Sequence, residues 1–401
     1  MPGSKETITL DLAVDPLAAT VLRTADGLAF DLSGLPRLDP VLVGRKAHDV
    51  PDIVKRLCGI CPVAHHLAGV AALENLIGAG PLPPGAAATR ELLAQAAAVE
   101  QLAFHLAHTD RPLFADTLQA AKEALRAAGC PGHFPDVAIP GGVRATPAPA
   151  GLIHLRGTFT ALAGRLAALL EDLPPTRWED TFPGVNASLV NDAGEPAALG
   201  CTVRISDTRG NLLAEFPVAQ WAQQVAEQHP GSSAPRPLIT LSGVPTPYRV
   251  GPIARHPEQA HAKGPAGAVA AALLHAAHAI INLCSDARLA PAASTPPTPP
   301  PTQSAQHEGI GLIDSPRGLL MHRYQATADG TLTGCQILTP TAQNEPWLAH
   351  MLTAADATGG SLEAAIRAAD PCLPCTHAPQ GAMSITIADP TPPSGGGDES
   401  R

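Results

Sequence analysis

The sequence lacks any concentration of positive charge: no run of Lys or Arg is longer than two, and the formal net charge is −10. Binding nucleic-acid phosphates takes clustered cations, so this absence argues against nucleic acid as the partner. Charge of either sign is scarce, at 15% of 401 residues, while apolar residues make up 45%. Such a chain can bury a sizeable core and is neither disordered nor strongly ionic. The N-terminus, MPGSKETITLDLAVDP, has no basic stretch leading into an apolar one, so no signal peptide is expected. Long hydrophobic runs are missing too. The Ala-rich stretches 96–98 and 270–277 are broken by Gln, Glu or His within a few residues, short of the roughly 18 apolar residues of a membrane span. The expectation is a soluble, cytoplasmic protein that meets a membrane only through partners. Cysteine is sparse as well. Eight in 401 residues cannot staple a secreted disulfide scaffold. Four of them, Cys130, Cys201, Cys284 and Cys335, stand alone and read as small buried hydrophobes.

What is present is mostly helical periodicity. Residues 49–78 show helical spacing around a first cysteine pair, ended by Gly78 and Gly80. Residues 88–129 read as a long helical stretch that Arg111-Pro112 should split, because proline cannot donate the helix bond. Further helices are expected over 151–172, 257–290, 342–355 and 361–369. Residues 6–32 read as a few short strands, and 185–250 as strands and turns with a short helix near 218–227. Residues 318–338 read as strand, turn, strand around Ala328-Asp329-Gly330. The stretch 289–306, LAPAASTPPTPPPTQSAQ, can be neither helix nor central strand and reads as an extended loop. The last 20 or so residues, rich in Pro, Gly and Ser, read as frayed.

The chemistry gathers in two C-x-x-C pairs. The first is Arg56-Leu-Cys58-Gly59-Ile-Cys61-Pro-Val-Ala-His65 and the second Asp370-Pro371-Cys372-Leu-Pro-Cys375-Thr-His377. Two thiols spaced by two residues can reach one ion, and Gly59 permits the tight turn between them. One such pair alone could be half of a zinc clip or a redox pair. Two pairs supply four soft thiolates, which suit nickel, zinc or iron–sulfur. Here 310 residues lie between Cys61 and Cys372, far more than in a local zinc ribbon. A shared site would therefore tie both ends of the chain together in the core.

With these residues in view, the chain resembles the large subunits of nickel–iron hydrogenases. R-L-C-G-I-C-P-V-A-H looks like the family's N-terminal signature and D-P-C-L-P-C like its C-terminal one. The order is kept by Gly44-Arg45 with Asp49-Val50-Pro51, by EQLAFHLAHTDRP (100–112) and by Pro140 to Val143. YRVGPIAR (248–255), GIGLIDSPRGLLMH (309–322) and Thr339-Pro340-Thr341 with Asn344 follow. The resemblance implies a mainly α fold with small peripheral β-sheets, the two cysteine pairs meeting in the core of a single domain over 1–401. It implies a Ni–Fe centre, the iron carrying CO and CN ligands, held by Cys58, Cys61, Cys372 and Cys375, with Cys61 and Cys375 bridging the metals. Cys372 or Arg317 would act as the base in heterolytic H2 cleavage. Pro340 and Thr341 would line the iron side, and His65 would sit near a bridging thiolate. Partners would be an Fe–S small subunit, maturation proteins and a C-terminal processing protease, with the Fe–S clusters on the small subunit. His66 reads as structural; His105 and His108, at i, i+3 with Glu100 and Asp110 nearby, could form a metal face but read rather as ordinary partly buried helix histidines.

The chain departs from the family at three points. The family opens with Arg-Ile-Glu-Gly-His, whose glutamate passes protons; around Thr20-Val21-Leu22 there is no glutamate, and Val21 cannot do acid–base work. The family histidine stands three residues after the last cysteine, whereas His377 stands two after Cys375 and Ala378 takes its place. Lastly, 24 residues follow His377, so 378–401 reads as a cleavable or disordered tail, or one simply retained. Three functions fit these residues: a catalytic hydrogenase subunit, a non-catalytic maturation scaffold or H2 sensor, and a structural zinc-binding member of the fold.

Overall fold

The computed structural model describes residues 17–35, 39–176, 178–289 and 307–389. The Pro-rich stretch beyond Leu289 and the last part of the tail lie outside the described residues.

The helix Pro62–Ile77 organises the centre. Cys61 is its N-cap and Pro62 occupies its first turn, where a missing N–H costs nothing; Gly78 ends it in the left-handed conformation. Its inner face lies on the strand Glu308–Ser315. That strand carries glycine at 309 and 311, where a Cβ would fall onto Ala72 O and Ala68 O, so the helix seats directly on the strand backbone. The strands Glu308–Ser315, Gly318–Ala326 and Leu332–Leu338 form one antiparallel sheet, with Arg317 in the tight turn between the first two.

Around this centre stand the helices Pro84–Ala103, Arg111–Ala127, Pro149–Asp172 and Pro257–Leu283. The expected break at Arg111-Pro112 is present: Asp110 caps the second helix, accepting from Leu113 N at 2.8 Å. The 257–283 helix bends at Gly264-Pro265. By length and composition alone it could cross a membrane, but 56% of its apolar window is buried within the protein, where it packs on the 84–103 and 149–172 helices.

The sheets are less peripheral than the resemblance implies. A six-stranded sheet runs in the order Leu212–Pro217, Thr202–Ser206, Val185–Val190, Val244–Arg249, Pro237–Leu241, Val225–Glu227. Arg249, wholly buried, locks it to the helix Pro340–Thr358. Its Nε donates to Asn186 Oδ1 at 2.8 Å, its Nη2 to Asp180 Oδ2, and the guanidinium lies 5.1 Å from the Trp347 ring centre. The 308–338 sheet is central because Gly309 and Gly311 remove the side chains that would otherwise hold the 62–77 helix off it.

The C-terminal stretch is also more ordered than its composition suggests. Ser384–Ala388 is a strand, paired parallel to Ala18–Thr24, which in turn pairs with Gly27–Phe30. Arg367 fastens the approach, donating to Thr376 O at 2.9 Å and Ala378 O at 2.7 Å. Val21 stands wholly buried in the middle strand, facing Ile387 and Phe30 in register.

Candidate metal centre

The first cysteine pair lies in the turn between the helices Val50–Val54 and Pro62–Ile77. The second lies beyond the helix Leu362–Ala369, which stops at Asp370 in the left-handed conformation (φ 43°), tolerated by aspartate better than by most residues. Pro371 then forbids helix continuation. The chain that follows brings Cys372 onto the first pair. Cys61 Sγ lies 3.2 Å from Cys58 Sγ and 3.5 Å from Cys372 Sγ, and Cys58 Sγ lies 3.6 Å from Cys372 Sγ. Among the described residues these three form the one group of His, Cys, Asp or Glu side chains close enough to share an ion. Cys375 is not in it. It sits in the short helix Pro374–His377, 1% exposed among Trp347, Leu348, Ile366 and Met383. Burial raises its thiol pKa. The expected meeting of both pairs is therefore realised for three of the four thiols.

The electrostatics of the three are shared. Hydrogen bonds from Cys372 and Cys61, and a further one from His65, favour the thiolate of Cys58. The reverse holds for its neighbours: the bond to Cys58 pushes Cys372 up to about 12, and the bonds to Cys372 and Cys58, with burial, push Cys61 well up. The three thiols thus share protons unequally, with negative charge favoured on Cys58. The N-terminus of the 62–77 helix adds a positive partial charge beside Cys61.

Neighbouring groups hold the thiols in place. Cys372 N–H donates to Thr341 Oγ1 at 2.8 Å. Thr341 stands in the first turn of the 340–358 helix, behind Pro340 and the N-cap Thr339, whose hydroxyl accepts from Ala342 N. Accepting from Cys372 leaves the Thr341 hydroxyl its own proton to donate. His65, 4% exposed, is 3.0 Å through Nδ1 from His322 Nε2, and His322 Nδ1 is 2.7 Å from Tyr324 Oη. Burial, and then the neighbouring His65 ring, push the His322 pKa well below the usual histidine range.

Arg317 is 5% exposed and aimed by two glycines. Gly318 has φ 129° and Gly251 φ 101°; a Cβ on Gly251 would stand 2.6 Å from Arg317 O. Its Nη1 donates to Gln101 Oε1 at 3.2 Å and its Nη2 to His377 Nε2 at 2.9 Å. A guanidinium only donates, so His377 accepts as the neutral ring, consistent with the lowering of its pKa by burial and Arg317. Arg317 Nε lies 3.1 Å from Asp370 Oδ2, an ion pair without hydrogen-bond alignment. Burial works against the cation, but Asp370 and then the three thiols outweigh it and hold it charged. A group held charged this firmly cannot accept a proton. Arg317 therefore stands beside the thiols as a fixed cation rather than as a base.

Sequence reasoning missed Asp370, His105, Gln101, His322 and Tyr324. Asp370 binds Arg317 and His105 (Nε2 to Oδ2, 3.2 Å), and these two overcome the effect of burial to lower its pKa. The signal for Asp370 was in plain view, since it opens the second cysteine motif. The pairing of His105 with Asp370 gave no signal, because the two are 265 residues apart. Cys201 is exposed and Cys284 and Cys335 are half-buried, so of the four lone cysteines Cys130 alone is buried as expected.

Residues 37–129, the first cysteine pair included, match the family model for nickel-dependent hydrogenase. The chain is 28% identical to one of the subunits of the F420-non-reducing hydrogenase of Methanothermobacter thermautotrophicus, over 87% of this chain and 88% of that one. Its fold superposes on a crystal structure of an NAD+-reducing [NiFe]-hydrogenase with a TM-score of 0.73 at 25% identity, covering 88% of this chain and 93% of the other. The chain is a homologue of the nickel–iron hydrogenase large subunits. This homologue is also 26% identical to the hydrogenase expression/formation protein HupK of Azotobacter vinelandii, over 84% of this chain and 90% of that protein.

Proposed function

We propose that this hydrogenase homologue is a catalytic large subunit, in which Cys58, Cys61, Cys372 and Cys375 hold a Ni–Fe centre for heterolytic H2 cleavage or formation. The observation that carries this reading is the meeting of Cys58, Cys61 and Cys372, from opposite ends of the chain, beside a buried Arg317. Their sulfur separations of 3.2–3.6 Å are close to the roughly 3.7 Å expected around a tetrahedral ion with ~2.3 Å metal–sulfur bonds, so the residues fit a metal. Cys375 lies three residues from Cys372, on a one-turn helix, and completes the set by a local rearrangement. When bound, the centre supplies the acceptor for hydride.

The chain's own residues do the rest. Cys372, held through its N–H by Thr341, would take the proton as a metal-bound thiolate. Arg317 holds positive charge over the thiols, while Asp370, His377 and Gln101 fix its fork. Thr341 positions Cys372 through its N–H and, with Pro340, would line the iron side of a bound centre. His65 favours the Cys58 thiolate. A cavity of about 390 Å³, walled mainly by apolar groups such as Val269, Leu273 and Trp347, reaches Arg317 and Asp370 and suits a small apolar gas. Electrons leave to an Fe–S small subunit, since the four remaining cysteines are scattered over the fold. Maturation proteins load the centre. The strand Ser384–Ala388 supports retention of the segment after His377 over its removal by a processing protease.

The test is H2-dependent dye reduction by the full chain purified with its co-expressed partners. Reduction that requires H2 is the expected result; none from protein replete in nickel and iron contradicts the proposal. A second reading, a maturation scaffold, is favoured by the likeness to HupK and by Val21 in place of a proton-passing carboxylate. It expects iron without nickel, and transfer of that iron to another chain.

A further inference from the structure

The helix Pro62–Ile77 and the strand Gly318–Ala326 pack on each other in the core. His65 and Gly69 lie four residues apart, on one side of the helix. His322 and Tyr324 lie two residues apart, on one face of the strand. Their polar side chains join in a row. His65 Nδ1 stands 3.0 Å from His322 Nε2, with the two rings edge to face at 5.2 Å, and His322 Nδ1 stands 2.7 Å from Tyr324 Oη. Gly69 leaves the space for the phenol, since a Cβ there would stand 3.1 Å from Tyr324 Oη. His322 and Tyr324 are wholly buried and His65 nearly so. Only His65 has a place in the proposed function.

The direction of the bonds follows from the closed end of the row. Among the described residues, His322 Nδ1 is the one hydrogen-bond partner of the Tyr324 hydroxyl, and Leu42, Val50 and Val54 share its cluster. The hydroxyl therefore donates to His322 Nδ1, because a buried O–H without an acceptor is costly. His322 must then carry its own proton on Nε2, which donates to His65 Nδ1, and His65 carries its proton on Nε2. The opposite polarity would leave the phenol proton among apolar side chains. Burial disfavours both a charged His322 and an ionised Tyr324, so the row is made of neutral groups.

We propose that His322 and Tyr324 are positioning residues that lock His65 as the tautomer protonated on Nε2, with that N–H turned away from the row toward Cys58. Because Nδ1 is taken by His322, Nε2 is the nitrogen left for the bond between His65 and Cys58. No group gains or loses a proton. The aligned bonds behind His65 polarise its N–H and strengthen it as a donor to sulfur. The row ends in the core at Tyr324, so it fixes a donor and conducts nothing to solvent. As a device acting on a metal-bound sulfur the inference rests on the proposed function, but the tautomers themselves need no metal.

The test is a two-bond nitrogen–proton correlation spectrum of the metal-free full chain labelled with 15N-histidine, which reports the ring nitrogen that holds each proton. The signals lost in His65→Gln and His322→Gln identify the two rings. In the wild type both are expected to be neutral and protonated on Nε2. Tyr324→Phe keeps the ring and removes the donor; the Nδ1–H form of His65 is expected to rise at least about fivefold, as loss of one net hydrogen bond allows. Tyr248→Phe is the control. Its hydroxyl is equally buried but bonds Gln343, outside the row, and His65 should stay as in the wild type. A wild-type His65 protonated on Nδ1, or on both nitrogens, would overturn the proposal. So would an unchanged His65 in Tyr324→Phe, or an equal change in Tyr248→Phe, which would assign the effect to core packing. The wild-type spectrum decides the tautomer by itself if Tyr324→Phe folds poorly. Failure of the proposed function would appear as missing nickel and iron, which leaves these spectra untouched.

Discussion

Replacing Cys372 with alanine is expected to remove the metal from the purified chain, lowering affinity by more than the ~100-fold that loss of a supporting group outside the ligand set typically costs. Cys372 is the hub of the cluster. It is the only member from the C-terminal end, it lies 3.5–3.6 Å from both other thiols, and its N–H is tied to Thr341. Removing it leaves in the cluster only the two thiols of one short turn, and Cys375, buried apart from them, as the one remaining thiol of the second pair. The same site joins residue 58 to residue 372 across the fold, so metal binding also contributes to folding stability. Chelation should lower the Tm of the wild type and leave Cys372→Ala unchanged. Cys201→Ala, at an exposed position, is the control and should keep full metal content. Cys375→Ala separates two versions of the site. Loss of metal would show that the fourth thiol swings in; full retention would show a three-thiol site. Undiminished metal in Cys372→Ala would refute the site as drawn.

The second large effect is expected at the buried ion pair. Arg317→Met strands the Asp370 carboxylate in the core with only His105, and Asp370→Asn strands the Arg317 guanidinium. Removing one partner of a buried pair typically costs about 3–5 kcal/mol, because the remaining charge stays desolvated. The double variant Arg317→Met/Asp370→Asn should be less destabilised than the sum of the two singles, and denaturant unfolding of all four proteins measures the difference. Strict additivity would show that the pair is not coupled. The pH dependence has a definite sign. Asp370's pKa is lower in the folded protein than in the unfolded chain. Its contribution is therefore complete above the unfolded carboxylate range and is lost as pH falls through the folded value. Stability of Asp370→Asn should accordingly respond less to acid than that of the wild type.

Much of this was legible in the sequence, and the parts that were not share a cause. Helices announced themselves because apolar spacing, Pro112 and Gly78 are local signals. The cysteine pairs did so because four thiols at that spacing have few other uses. The strand Glu308–Ser315 was hidden by Gly309 and Gly311, which erase the alternation that marks a strand and are there so that a helix can lie on it. The strand Ser384–Ala388 was hidden because its partner, Ala18–Thr24, lies at the opposite end of the chain. Asp370, His105 and Gln101 gain their roles only by converging on Arg317 from distant segments, and no periodicity encodes such a meeting. The position of Cys375 could not be read either, since a C-x-x-C spacing permits both thiols to face one ion without requiring it.

The central claim is that these thiols hold nickel and iron. The most direct test is metal analysis of the full chain purified with its co-expressed partners, together with infrared spectra in the region of metal-bound CO and CN. Nickel and iron in equal amounts, with those bands, is the expected result. Zinc as the sole metal, with no such bands, would contradict the account and leave the hydrogenase fold without its chemistry.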